Sequence, residues 1–121
     1  MAHTNKWEDR GLRRIFSGNI TAEEVLKSNL AMHGDARFDD IKFILNDFTQ
    51  IEGFEVSHIE IKQISKFDHV AALTNKKLKI IIVATDESLL KWIYAYIEQM
   101  QNSPLECVVF KSLDDAYNMF S

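Results

Sequence analysis

The chain of 121 residues is 46% apolar and 26% charged, an ordinary globular composition, long enough for one domain to bury its own core without metal or disulfide staples. A formal charge of −4 argues against a nucleic-acid role, which needs a basic face, and no apolar run approaches the roughly 20 residues that span a bilayer. Cys107 is the only cysteine and the N-terminus is polar, with no signal-peptide core, so the expected compartment is a reducing cytoplasm.

In chain order, Lys6-Trp7-Glu8 and residues 12–16 read as two short strands around Asp9-Arg10-Gly11, where glycine would supply a positive φ for a tight hairpin. The alternation in Leu12-Arg13-Arg14-Ile15-Phe16 is imperfect, and Ser17-Gly18-Asn19 reads as a break. Thr21-Ala22-Glu23-Glu24 is a capping box that opens a helix to about His33. Val25, Leu26, Leu30 and His33 form its expected inner stripe, and Gly34 follows its C-terminus. Residues 35–40 read as a polar connection, 41–48 as a strand, and 49–56 as an acidic loop.

A second capping box, Ser57-His58-Ile59-Glu60, opens a helix to about Leu73, with Ile61, Ile64, Phe67, Ala71 and Ala72 near helical spacing. The pivotal stretch follows, Leu78-Lys79-Ile80-Ile81-Ile82-Val83-Ala84-Thr85. It does not alternate from Ile80 to Ala84, so both of its faces should be buried between layers of helix. Its one lysine, Lys79, with Lys76 and Lys77, reads as a solvated loop at a strand entrance. Thr85-Asp86-Glu87 starts a third helix to about Gln101, with acids where the helix dipole favours them. Leu89, Ile93, Tyr96, Ile97 and Met100 cluster on one face, and Trp92 and Tyr94 flank it, for an apolar arc of roughly 200°. Pro104 ends that region. Residues 106–110 form a short strand with Val108 and Val109 buried, and Ser112 caps a last helix that packs Leu113, Ala116, Tyr117 and Phe120 inward.

The order ββαβαβαβα predicts an α/β domain: a mixed sheet with an N-terminal hairpin, then parallel strands, and helices on both faces. That order, with Gly18-Asn19-Ile20-Thr21-Ala22-Glu23-Glu24, Asp39-Asp40, Asp47, Ile82-Val83-Ala84-Thr85-Asp86 and residues 110–116, resembles the STAS domains. It is closer to the SpoIIAA-like group, which shares its fold with the lipid-binding SEC14 domains. The resemblance implies a non-enzymatic module that binds a protein partner of kinase or regulator type. Family antagonists of anti-sigma factors carry an Asp-Ser-Ser-Gly-type turn whose serine is phosphorylated. Ser57 matches that serine, while Glu55, Val56 and His58 replace the aspartate, the other serine and the glycine.

Ser57 also has the plain role of a helix cap, and Asp47, at the C-terminal end of its strand, that of capping a turn. A phosphate on Ser57 would meet the free N–H groups of a helix start and add charge beside Glu52, Glu55 and Glu60. His58 and His69 lie about 16 Å apart along one helix and do not chelate one metal ion. No glycine-rich phosphate loop is present, so no cofactor is expected. The arc with Trp92, Tyr94 and Tyr96 has three readings: core filling, a homodimer surface, or, as the SEC14 likeness implies, a pocket for a lipid or small apolar ligand.

Overall fold

A computed structural model describes residues 2–119, with Ala2 by its backbone alone. The elements are β1 (Ala2–Glu8), β2 (Gly11–Thr21), α1 (Ala22–His33), β3 (Phe43–Glu55), α2 (His58–Ala72), β4 (Lys79–Val83), α3 (Glu87–Gln99), β5 (Glu106–Phe110) and α4 (Leu113–Asn118), with a short 3-10 helix at Ala36–Asp40. They form one sheet in the order β1-β2-β3-β4-β5, with β1 antiparallel to β2 and every later pairing parallel. This is the expected mixed α/β architecture, hairpin first.

Three crossovers of one hand, all stepping the same way through the sheet, leave α1, α2 and α3 on one face. The larger core lies there, with Ile44 from β3 and Ile80 and Ile82 from β4 under Val25, Ile64 and Ile93. Alternate residues Leu45, Ile81 and Val83 point to the other face, where α4 covers them with Ala116. Both faces of β4 are therefore buried, and Ile81, Val83 and Ala84 have no exposed surface. The missing alternation in that stretch has this cause.

Several local expectations are corrected. β2 runs unbroken through Ser17, Gly18 and Asn19, absorbing them as register shifts against β3. Gly18 takes φ +73°, a left-handed conformation that costs glycine little, and this lets the strand continue. Gly11 has no positive φ; Glu8 pairs with it across a two-residue turn, and the Phe43 ring occupies the place a Cβ would fill. β3 begins at Phe43, and the expected acidic loop is its second half, paired with β2 as far as Glu55. The 35–40 connection holds the 3-10 helix, and Phe38 within it is buried.

On α1 the buried residues are Ala22, Val25, Ser28, Asn29 and Met32, and Leu30 is turned to solvent. On α2, Phe67 is exposed while Asp68 is buried in the middle of the inner arc. α3 ends at Gln99, and β5 is an edge strand whose Val108 and Val109 are only half-buried. On α4, Ala116 is buried and Tyr117 largely exposed, and Phe120 lies outside the described residues. Thr21, Ser57, Asp86 and Ser112 each accept from backbone N–H groups of the first turn of α1, α2, α3 and α4, and the reciprocal capping box is complete at Ser57, where Glu60 reaches back to the Ser57 N–H.

Candidate functional site

Leu12, Arg14 and Phe16 share one face of β2, the face under the three-helix layer, and Arg14 is 2% exposed there. A cation removed from water must find partners on the spot. α1 supplies them by turning polar residues inward. Arg14 Nη1 donates to Asn29 Oδ1 at 2.8 Å and Nη2 donates to Ser28 Oγ at 2.6 Å, while the guanidinium lies 4.9 Å from the centre of the Phe16 ring. Asn29 Nδ2 then donates to the Asp68 carboxylate on α2, at 3.3 Å to Oδ1. The Tyr96 hydroxyl on α3 donates to Asp68 Oδ2 at 2.6 Å, and His33 Nε2 lies 3.4 Å from Asp68 Oδ1. One polar chain thus ties β2, α1, α2 and α3 together inside an apolar layer.

Burial sets the charge states. It lowers the Arg14 guanidinium to about 10, against the raising effect of Asp68 and Tyr96, so Arg14 stays a cation at neutral pH. Burial raises the Asp68 carboxyl to about 6, against the opposing Tyr96, Arg14 and Asn29. His33 is pushed down to about 4, by burial first and by Arg14 second. Its neighbour Asp68 still holds a proton up to about 6, so the carboxyl gives His33 little negative charge to lean on. The Tyr96 hydroxyl is raised well above its ordinary range by burial and then by Asp68.

This cluster forms one wall of a cavity of about 80 Å³ between the sheet and the helices. Ile44, Ile64, Ile82, Leu89 and Ile93 supply apolar wall, and half-buried Trp92 and Phe54 also line it. Such a space exceeds the roughly 10–15 Å³ that one water needs. It is smaller than the roughly 150 Å³ that admits benzene in an apolar core.

The aromatic residues singled out on α3 part company. Trp92 and Tyr96 line the cavity, while Tyr94 points outward and is 56% exposed. The residues around the expected switch do not gather into one site. Ser57 is exposed at the start of α2, and its capping box is complete: Oγ accepts from Glu60 N at 3.2 Å, and its own N–H donates to Glu60 Oε1 at 2.9 Å. His58 packs its ring 4.8 Å from Trp92, and Glu55 ends β3 opposite Thr21. Asp47 is buried beside Val83 on the α4 side of the sheet, where Oδ1 accepts from Thr49 N at 2.9 Å and from Thr49 Oγ1 at 2.7 Å. It belongs to a local turn-like contact within β3 and is remote from the helix that Ser57 caps. Cys107 is half-buried on β5, and burial, then Asp68 and Glu106, raise its thiol to about 12.

The residues that make the cavity polar at one end, Arg14, Asn29 and Asp68, were not among the sequence candidates. A signal for two of them exists. Arg14 falls on the core parity of its strand between Leu12 and Phe16, and Asp68 falls four residues after Ile64 and three before Ala71.

No protein-family model matches the chain, and no curated protein does. Among solved structures, an uncharacterized protein of the DUF3478 family from Shewanella loihica PV-4, described as having a SpoIIAA-like fold, is similar over 99% of this chain and 93% of its own. The TM-score is 0.53 and the identity 16%, a likeness of architecture. The chain has a SpoIIAA-like fold, in the element order ββαβαβαβα with β1 and β2 antiparallel and the later strands parallel.

Proposed function

We propose that the chain is a non-enzymatic binding protein that holds a small, largely apolar molecule in the cavity beneath α1, α2 and α3. The observation that supports this reading is the cavity itself: space inside a layer that close packing ordinarily fills, walled by isoleucine and leucine and polar at one end. The three readings of the α3 aromatics are thereby weighed against one another. Trp92 and Tyr96 face the cavity, which favours the ligand reading over a flat surface for self-association. The cavity also outweighs Ser57 as the basis of a function, because the Ser57 hydroxyl is already committed to capping α2.

Native mass spectrometry on gently purified protein tests the proposal. A retained adduct of small organic mass, released on denaturation, is the expected result. A bare chain mass, together with no uptake from a mixture of short-chain acids and alcohols, overturns it.

A further inference from the structure

The guanidinium of Arg14 is a buried cation that no carboxylate of the described residues contacts directly; Asp68 is reached only through Asn29. Of the five N–H donors on an arginine, the two on Nη1 go to Asn29 and Met32 and one on Nη2 goes to Ser28, which leaves the second N–H of Nη2 and that of Nε. Nε is buried and has no partner. Arg14 is registered opposite Asn46 on β3, and both line the cavity. Asn46 Oδ1 is likewise buried without a partner. An amide oxygen and nitrogen exchange places by a flip of the side chain, so Asn46 can present either a donor or an acceptor there. Two paired strands therefore hold unspent hydrogen-bonding groups side by side at the polar end of an apolar space, where leaving them unmade is costly.

Resting on the reading of this cavity as a ligand site, we propose that its polar end is a carboxylate site: Arg14 Nε, with Asn46 beside it, takes the head group of a short-chain monocarboxylate whose tail lies against Ile44, Ile82 and Ile93. The chemistry fits on three counts. A carboxylate accepts from Nε and from the adjacent Nη edge in the side-on fork that guanidinium favours. It supplies the direct counter-charge that Arg14 lacks. It also fits the volume, since a cavity of about 80 Å³ leaves room for a short tail and none for a long acyl chain without movement of the helices. An alcohol of the same length fills the same space and forms one hydrogen bond to Nε, but it brings no charge.

The test uses the wild-type protein, titrated with acetate, propanoate, ethanol and 1-propanol, sizes compatible with a cavity of about 80 Å³, and watched through the arginine Nε–H resonances. The Arg14 resonance is identified by its contact with the Phe16 ring, so no variant has to fold. Each acid is expected to bind about tenfold more tightly than the matching alcohol, the gain of one charge-assisted pair, and the Arg14 Nε–H resonance to move further downfield with the acids than with the alcohols. Alcohols binding as tightly as acids, or acids binding with the Arg14 resonance unmoved, overturns the carboxylate site and leaves the apolar cavity reading standing. Failure of all four to bind removes both.

Discussion

The Tyr96 hydroxyl meets Asp68 Oδ2 at 2.6 Å, and this bond joins α3 to α2 across the cavity roof. Asp68 also takes Asn29 from α1, so one buried carboxylate is shared by three helices. Replacing Tyr96 by Phe removes one donor and keeps the ring. The expected loss is about 2 kcal/mol, as for a hydrogen bond to a charged group, read from urea unfolding at neutral pH. Asp68 should also climb further above its ordinary range, which a carbon-detected titration of the side-chain carboxyl reads directly.

Asp68 and His33 make opposing contributions to stability against pH. Asp68 binds its proton more tightly in the fold, about 6 against 3.8, so its contribution falls as pH rises from about 4 to about 6. His33 binds its proton more weakly in the fold, about 4 against 6.5, so its contribution rises with pH over nearly the same window. The two slopes offset each other in the wild type. Relative to wild type, Asp68→Asn should therefore gain stability with rising pH between 4 and 6, and His33→Gln should lose it. Urea unfolding at half-unit pH steps distinguishes these outcomes; parallel curves for all three proteins would contradict the assignment.

Asn75 is 2% exposed and works as a donor. Its Nδ2 reaches Phe38 O at 2.8 Å and Ile41 O at 2.7 Å, pinning the 3-10 turn to the end of the segment after α2, while Oδ1 has no partner. Asn75→Ala leaves two buried carbonyls without donors and should destabilise by about 2–3 kcal/mol. Asn75→Asp should be worse, because it presents a buried acceptor, and at neutral pH a charge, to those same oxygens. Chemical denaturation of both variants ranks them.

Ser57→Ala removes the side-chain acceptor of the α2 capping box and should cost about 1 kcal/mol, with Ser57→Asp close to wild type. Thermal unfolding of the pair reads the difference. A Ser57→Ala protein as stable as wild type would mean that the exposed hydroxyl contributes nothing to the helix and is present for another reason.

The fold was legible where one residue's environment is decided by its near neighbours. Ile80 to Ala84 announce a doubly covered strand through what they lack, which is any polar alternate. Thr21, Ser57, Asp86 and Ser112 announce helix starts because a cap is a contact over three residues. Gly18 and the second half of β3 were not legible, since local chemistry there says turn and loop while pairing with a neighbouring strand says otherwise. The site was legible only as anomalies. Arg14 at an apolar register position of β2 and Asp68 amid the apolar spacing of α2 each look like a flaw in a pattern. What resolves both is that they approach each other through Asn29, 15 and 39 residues away along the chain, and no window of sequence contains that meeting.

The strand order is simply the order of the chain: every strand lies beside the one made just before it. No gap has to be held open for a latecomer, and no strand must be threaded between two already joined. Each βα unit emerging during synthesis therefore finds its docking edge complete, so the sheet can grow from its first hairpin outward at the pace of translation, and the final strand covers β4 and becomes the far edge.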